Sequence, residues 1–479
     1  MATDVLKPSQ PKPAEAFDLP QPSIVRWWVV PVLAFGAMLL LLVGAAAVFA
    51  IRWRMNTVAA LRRVEKEVAR LEALGQPIST QSLYDYHRVP ADRPDATALW
   101  LAALNSLDEK AFNTDGKDLP FVGVLEGRAL TPPGNPALLA SAEDFLKKYD
   151  PTREAILAAV RHGGECRIPV KFEDGFAMLL PNAQKVRCLA RLLALDIRVR
   201  ACRGDAAGAV ESLEALYGTA VTVAHQLTIV EQLIHMAVAG VAFGETEQLL
   251  GDLELTDEQL ARIAARLDSL DIRGGLTTGM IGERAMGYYA FHHLEQVPEI
   301  PQLKGMGVAG QLSRPVDCEW YLQLFDDLIA ASREPFPEAR NRARAVEMRL
   351  KARAGSQNPL EKMNYMVTLM ILPATGAAFD ATGRTLAARE TLRVAVAAER
   401  YRLATGAFPN QLTELVPAYL PAVPVDPFDG LPLRMKATSE ELIVYSVGKD
   451  GQDNGGQETK PCEPDVVVRV PAKKAAPAP

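Results

Sequence analysis

Cysteine is scarce in this 479-residue chain. There are five (Cys166, Cys188, Cys202, Cys318, Cys462), an odd number with no CxxC pair, which excludes both a disulfide scaffold and a zinc module. On one shared helix, Cys188 and Cys202 would stand about 21 Å apart by helical rise, far beyond disulfide reach. Histidine is nearly as rare, and its six copies make a poor metal set. His225 and His235 lie about 15 Å apart along a helix axis, and His292 and His293 point to different faces. A basic excess is missing too: the net charge is −6, which argues against nucleic acid as a partner. No Gly-x-Ser-x-Gly elbow, His-Glu-x-x-His pair or kinase set occurs. The glycine-rich stretch Gly274 to Gly287 lacks the Gly-Lys-Ser/Thr ending of a phosphate loop. Strand-like alternation is almost absent before residue 420.

What is present begins with Trp27 to Ile51, WWVVPVLAFGAMLLLLVGAAAVFAI. It holds no charge, Asn or Gln, and about 25 residues at ~1.5 Å each cross a ~30 Å hydrocarbon core. Trp27, Trp28 and Trp53 mark its edges, where indoles prefer the headgroup layer. The rival reading is a cleaved signal peptide with Gly44–Ala47 as its processing site; Arg52, Trp53 and Arg54 immediately after favour a retained single-pass anchor. Residues 1–26, with Pro8, Pro11, Pro13, Pro20 and Pro22, read as a disordered tail. Arg52 to Leu74 reads as a juxtamembrane helix ended by Gly75 and Pro77. There Leu61, Val64, Val68 and Leu71 repeat at 3-4-3 spacing, which suits either a short coiled-coil stalk or packing onto the domain that follows. Arg62, Arg63, Lys66 and Arg70 alternate with Glu65, Glu67 and Glu72, a mixed solvated face.

Residues 52–385 form the helical domain. Val186–Cys202 carries Leu189, Leu192, Leu193 and Ile197 on one face. Gly204-Asp205 then ends that helix and caps the next, a hairpin of tetratricopeptide type without a fixed repeat. Ala215 to Gly244 is apolar enough to mimic a second span, but His225, Gln226, Glu231, Gln232 and His235 are costly in lipid. A buried helix or helix pair is expected instead. Further helices are expected over Thr256–Leu270, Met280–Glu295, Glu319–Ala331, Pro337–Arg353 and Leu360–Leu372. From residue 386 the texture changes: a helix (Thr391–Ala404), a helical turn at Leu412–Leu415, then Asp-Pro and Asp-Gly turns. Three β-like runs follow, Pro432–Lys436, Leu442–Val447 and Val466–Val470, and a tail at 472–479. The fold class is mainly α: a transmembrane helix, a soluble helical bundle and a small α+β unit with a short antiparallel sheet.

The last unit (386–471) carries Glu399-Arg400-Tyr401-Arg402-Leu403, Gly406-Ala407-Phe408-Pro409, Tyr419-Leu420-Pro421, Asp426 to Pro432 and Tyr445 to Gly451 in that order. It resembles the globular end of the major pseudopilin of type II secretion systems over about 85 residues. The resemblance implies a helix followed by a small antiparallel sheet, with calcium bound by the loop after the Tyr-Ser strand. Asp450 matches one ligand position and Asp465 the second, while Asp453 and Glu458 offer further oxygens. Calcium takes six to eight oxygens, and Gly448, Gly451, Gly455 and Gly456 would let carbonyls turn inward. The spacing is not that of an EF-hand, and a solvated glycine-rich turn without metal is the alternative. The pseudopilin cleavage sequence is missing at the span. The remainder is similar to an uncharacterised bacterial single-pass family, through Gly75-Gln76-Pro77-Ile78, Cys166 to Val170 with Phe172, Leu180-Pro181 and Gly204-Asp205.

Two functional readings follow. The first is a non-enzymatic membrane-anchored scaffold or protein-interaction module with a pilin-like head, whose partners are the lipid bilayer and envelope or secretion-system proteins. The second is an enzyme or ligand-binding protein with a site buried in the helical domain, around Glu231, His235 and Glu283. In that region Glu231 and His235 could pair at i,i+4 and Glu283-Arg284 reads as a helix-face ion pair. The location expected is the bacterial inner membrane. Arg52, Arg54, Arg62, Arg63 and Lys66 after the span place the large domain inside by the positive-inside rule; the pseudopilin likeness places it outside, which is the side favoured.

Overall fold

The computed structural model describes residues 25–123, 130–177, 180–293, 307–372, 375–457 and 465–472. Of the tails expected at the two ends, residues 1–24 and 473–479 lie outside the described residues, as do Glu458 and Cys462, while Val25 and Arg26 already belong to the first helix. In chain order the helices are α1 (Val25–Ala73), α2 (Thr80–Tyr86), α3 (Thr97–Asn105), α4 (Glu109–Asp115), α5 (Pro136–Lys148), α6 (Asp150–His162), α7 (Pro181–Cys202) and α8 (Ala206–Val221). They continue with α9 (Ile229–Asp252), α10 (Asp257–Asp268), α11 (Ile272–His292), α12 (Gly307–Arg333), α13 (Phe336–Ala354), α14 (Pro359–Asn364), α15 (Met366–Ile371) and α16 (Thr375–Thr405). Three strands close the chain, β1 (Arg434–Ala437), β2 (Glu441–Ser446) and β3 (Val466–Pro471).

The chain divides after Ala59 into two units. In the first, α1 has an 18-residue window of mean hydropathy 2.6 with none of it buried; Leu40 and Leu41 are 74% and 75% exposed. Water-exposed leucines on this scale are unfavourable at about 25 cal/mol per Å², and the helix is long and apolar enough to cross a membrane. By length and composition Met366–Thr405 passes the same test, but half of its window is buried. There α16 is a core helix, with Phe379, Leu386, Leu392 and Val396 inside.

The second unit starts on the last turns of α1. Val64 and Leu71 belong to the main core and Val68 packs against it, whereas Leu61 is 45% exposed. The 3-4-3 seam is therefore used against the body. Arg63 reaches Glu319 at 2.5 Å and Arg70 reaches Asp326 at 2.6 Å, both on α12.

Local signals explain the hairpin at α7–α8. Gly204 takes a φ of 71°, which a side chain resists, and Asp205 accepts the Gly208 N–H at 2.9 Å as the N-cap. The stretch that mimicked a second span is the end of α8, a break at Thr222–Thr228 and the start of α9, with Thr228 as N-cap. Glycines of α11 allow that break to lie close. A Cβ on Gly282 would stand 1.9 Å from the Leu227 carbonyl oxygen, and one on Gly287 would stand 1.8 Å from the Tyr321 hydroxyl. The glycine run is thus a packing surface.

The sheet has order β1-β2-β3 and is antiparallel throughout, with Val444 opposite Met435 on one side and Val468 on the other. Leu442, Val444, Val468 and Val470 share one core with the helices. The boundary read at residue 386 falls inside α16. Asp426, fully buried, locks the Asp-Pro-Phe-Asp-Gly turn to β2. It accepts from the Phe428 N–H (2.9 Å), the Val447 N–H (2.9 Å), the Ser446 hydroxyl (2.8 Å) and Arg434 (2.7 Å).

Candidate functional site

Between α6 and α7 the chain crosses the body as an irregular strap. It is pinned at its start, where Gly164 (φ 95°) lets the backbone approach Pro94. The Glu165 N–H donates to the Pro94 carbonyl and the Ala96 N–H to the Glu165 carbonyl, each at 2.9 Å. An ionic knot sits there around the buried Glu165, which accepts from Arg93 and from Arg167, with the His225 Nε2 4.0 Å away. Burial and then the Arg167 charge push the His225 imidazole below its ordinary range.

Further along, the strap faces α2 across an open cleft of about 640 Å³, lined among others by Gln81, Tyr84, His87, Asp95, Arg167 and Val170. Phe172 braces it from below, edge-on to Tyr84 (4.9 Å) and to His87 (5.6 Å). The Tyr84 hydroxyl donates to Glu173 at 2.7 Å. His87 is only 8% exposed, and its Nε2 lies 2.9 Å from the Gln226 Oε1. The Gln226 amide nitrogen donates to the Cys166 and Thr222 carbonyls, both at 3.2 Å. Its oxygen must therefore accept, so the His87 Nε2 carries the hydrogen. Burial holds His87 below its ordinary pKa, and in the neutral ring, with the hydrogen on Nε2, Nδ1 is an acceptor. Cys166, buried within the strap, has its thiol pushed by burial up to about 12, which disfavours the reactive thiolate.

The residues expected to ring a buried site are placed otherwise. Glu231 takes the Thr228 hydroxyl at 2.9 Å, while the His235 Nδ1 donates to the Ala220 carbonyl at 2.7 Å. The i,i+4 pair does not form, because each side chain has a nearer backbone or cap partner at the break before α9. The Glu283-Arg284 ion pair is likewise replaced: Glu283 accepts the Ile229 N–H at 3.1 Å, and Arg284 spans to Asp326 (3.1 Å) and Gln76 (2.6 Å). Burial drives Glu231 and Glu283 each up to about 7. The cleft, a pocket of about 200 Å³ beside Trp100 and a groove of about 350 Å³ between α7 and α9 are lined by other residues.

In the C-terminal loop, Asp450 accepts the Gln452 N–H at 3.0 Å and closes its own turn. Asp453 accepts the Gly455 N–H at 2.9 Å. Asp465 accepts the Gly456 N–H at 2.8 Å and the Asn454 N–H at 3.4 Å. The stretch 454–456 thus links Asp453 to Asp465, and Asp450 shares no partner with them. Carbonyls that could turn toward a cation are met by the protein's own: Lys436 donates to the Gly455 oxygen at 2.8 Å and Arg469 to the Gly456 oxygen at 2.9 Å. Arg434 lies 3.8 Å from Asp453. Among the described residues no group of three or more His, Cys, Asp or Glu side chains gathers as a metal site. Among the described residues of the loop, the Asp450, Asp453 and Asp465 carboxylates and the Gly455 and Gly456 carbonyls each meet a partner within the chain.

Sequence reading missed His87 and named Gln226 only as a polar residue expected inside a buried helix. A buried histidine beside an exposed loop carries no periodic signal, and its partner lies 139 positions away. No family model, curated protein or solved structure matches the chain, so a role is argued from its own geometry.

Proposed function

We propose that this is a non-enzymatic, membrane-tethered protein-interaction scaffold of a bacterial envelope. In this reading α1 anchors it in the inner membrane as a single pass, and the body from Ala60 onward stands on the extracytoplasmic side. The α7–α8 hairpin is of tetratricopeptide type, and the helix–sheet ending is of pseudopilin type, suited to contacts with envelope or secretion-system proteins. The observation that carries the reading is the wholly unburied apolar window of α1, which water tolerates badly and a bilayer accepts. Supporting it, Glu231, Glu283 and the His235 Nδ1 at the break before α9 each hold a cap or backbone partner.

Membrane fractionation tests the anchor. The full chain should need detergent, and a chain lacking 27–51 should not; a full chain that stays monomeric in plain buffer refutes it. Side is tested by maleimide labelling of Cys462 in intact and lysed cells, in a Cys202→Ala background. Cys166, Cys188 and Cys318 are buried and contribute little signal. Labelling of Cys462 only after lysis refutes the extracytoplasmic side.

A further inference from the structure

We propose that the cleft between α2 and the strap binds an extended peptide segment of a partner protein. The inference rests on the interaction-scaffold reading and gives that interaction a site and a ligand chemistry. Its first support is the backbone of the strap. Pro169 is exposed and Val170 half-buried, both line the cleft, and neither stands in a helix or strand. Among the described residues the Val170 N–H and the Pro169 and Val170 carbonyls make no hydrogen bond. These unpaired backbone groups are available to pair with the backbone of an extended chain laid along the strap.

A second, independent support is His87. It is nine-tenths buried, lines the cleft and has Nε2 committed to Gln226. Its Nδ1 has no partner among the described residues and accepts an N–H. Arg167 sets a guanidinium in the strap's wall of the same cleft; its Nη1 makes only a long 3.4 Å contact with the Cys166 carbonyl. A peptide unit offers the matching pair, an N–H for His87 and a carbonyl for Arg167. Charge decides against a simple anion. Arg88 is paired with Asp85 at 3.1 Å, Arg167 with Glu165, and Asp95 adds a carboxylate to the wall. The balanced cleft favours an uncharged backbone over a phosphate, and its size falls within the ~300–1,000 Å³ of ordinary ligand sites.

The test uses the full chain in detergent micelles against an array of acetylated, amidated decapeptides of random composition. Photo-crosslinking from p-benzoylphenylalanine at Arg88, an exposed residue of the cleft wall, reports the site. A subset of peptides should bind and crosslink. Val170→Pro, which removes the strap's N–H donor, and His87→Phe, which keeps the ring packed on Phe172 but removes both nitrogens, should each weaken retention at least tenfold. Thermal melting of each variant checks its fold, and the Arg88 crosslink in the otherwise unaltered chain reads out the proposal even if a variant fails to fold. No peptide retained above background, retention unchanged in folded variants, or displacement of peptide by inorganic phosphate overturns it. The detergent requirement of the same preparation separates the two ideas: if it persists while capture fails, the cleft proposal falls and the tethered scaffold stands.

Discussion

Replacing Glu231 by Gln should change how stability depends on pH. The carboxylate is 5% exposed, and burial first, with a smaller push from the Glu283 charge, raises it from 4.5 to about 7. A carboxyl raised on folding makes the native state hold the extra proton between those two values. Its stabilisation is then fully present below about pH 4.5 and lost as pH rises through 7. At 1.36 kcal/mol per unit, 2.5 units amount to about 3.4 kcal/mol as an upper bound. A body of about 420 residues beyond Ala59 has an unfolding entropy near 0.9 kcal/mol/K at ~2.1 cal/mol/K per residue. The effect is thus a melting shift of about 4 °C. Glu231→Gln keeps the acceptor for the Thr228 hydroxyl and cannot ionise. Melts of variant and wild type in detergent from pH 4.5 to 8 should diverge, the variant gaining about 4 °C relative to wild type by pH 8. His87, His225 and His235, all lowered by burial, remove stability as pH falls below their ordinary 6.5. They act on both proteins alike and cancel in the difference. Parallel curves across that range would refute the argument.

Gly282→Ala should destabilise by about 1–3 kcal/mol through overpacking, because the new carbon meets the Leu227 backbone oxygen. Gly240→Ala, with nothing within 4 Å, should instead be neutral or gain up to about 1 kcal/mol from helix propensity; equal denaturant midpoints for the two would contradict the packing assignment. Asp426→Ala leaves the Phe428 and Val447 N–H groups and the Ser446 hydroxyl without their acceptor while Arg434 keeps Asp429, at a cost of about 1–3 kcal/mol for each buried group left unpaired; a loss under 1 kcal/mol by chemical denaturation would be inconsistent with that role. Adding calcium or EGTA should leave the melting temperature of the wild type unchanged, since Lys436 and Arg469 already meet the loop carbonyls. A calcium-dependent rise abolished by Asp465→Asn would restore the ion.

How legible each part was depended on the range of its cause. The Gly204-Asp205 turn and the three strands are local, set by φ, capping and alternation, and they were readable within a residue or two. The Ala215–Gly244 stretch was separable from a membrane span because its polar residues needed protein partners. The partners themselves were not readable. Neighbour spacing suggested Glu231 with His235 and Glu283 with Arg284, yet Glu231 bonded to its own helix cap and the other three to groups brought by other segments. The glycines of α11 could be dismissed as a phosphate loop from spacing, but their purpose needed Leu227 and Tyr321 in place.

Chain order alone determined that a long oily segment precedes a mainly helical body ending in a short antiparallel sheet. Hydropathy and side-chain periodicity are properties of adjacent residues, so no packing is needed to read them. Only the tertiary structure decided that the sheet shares the helical core, that Lys436 and Arg469 serve the acidic loop, and that His87 faces a cleft as an acceptor. Those outcomes join residues as far apart as Glu247 and Arg469, 222 positions, and a hydrogen bond acts over about 3 Å. Nothing short of folding brings such groups within reach.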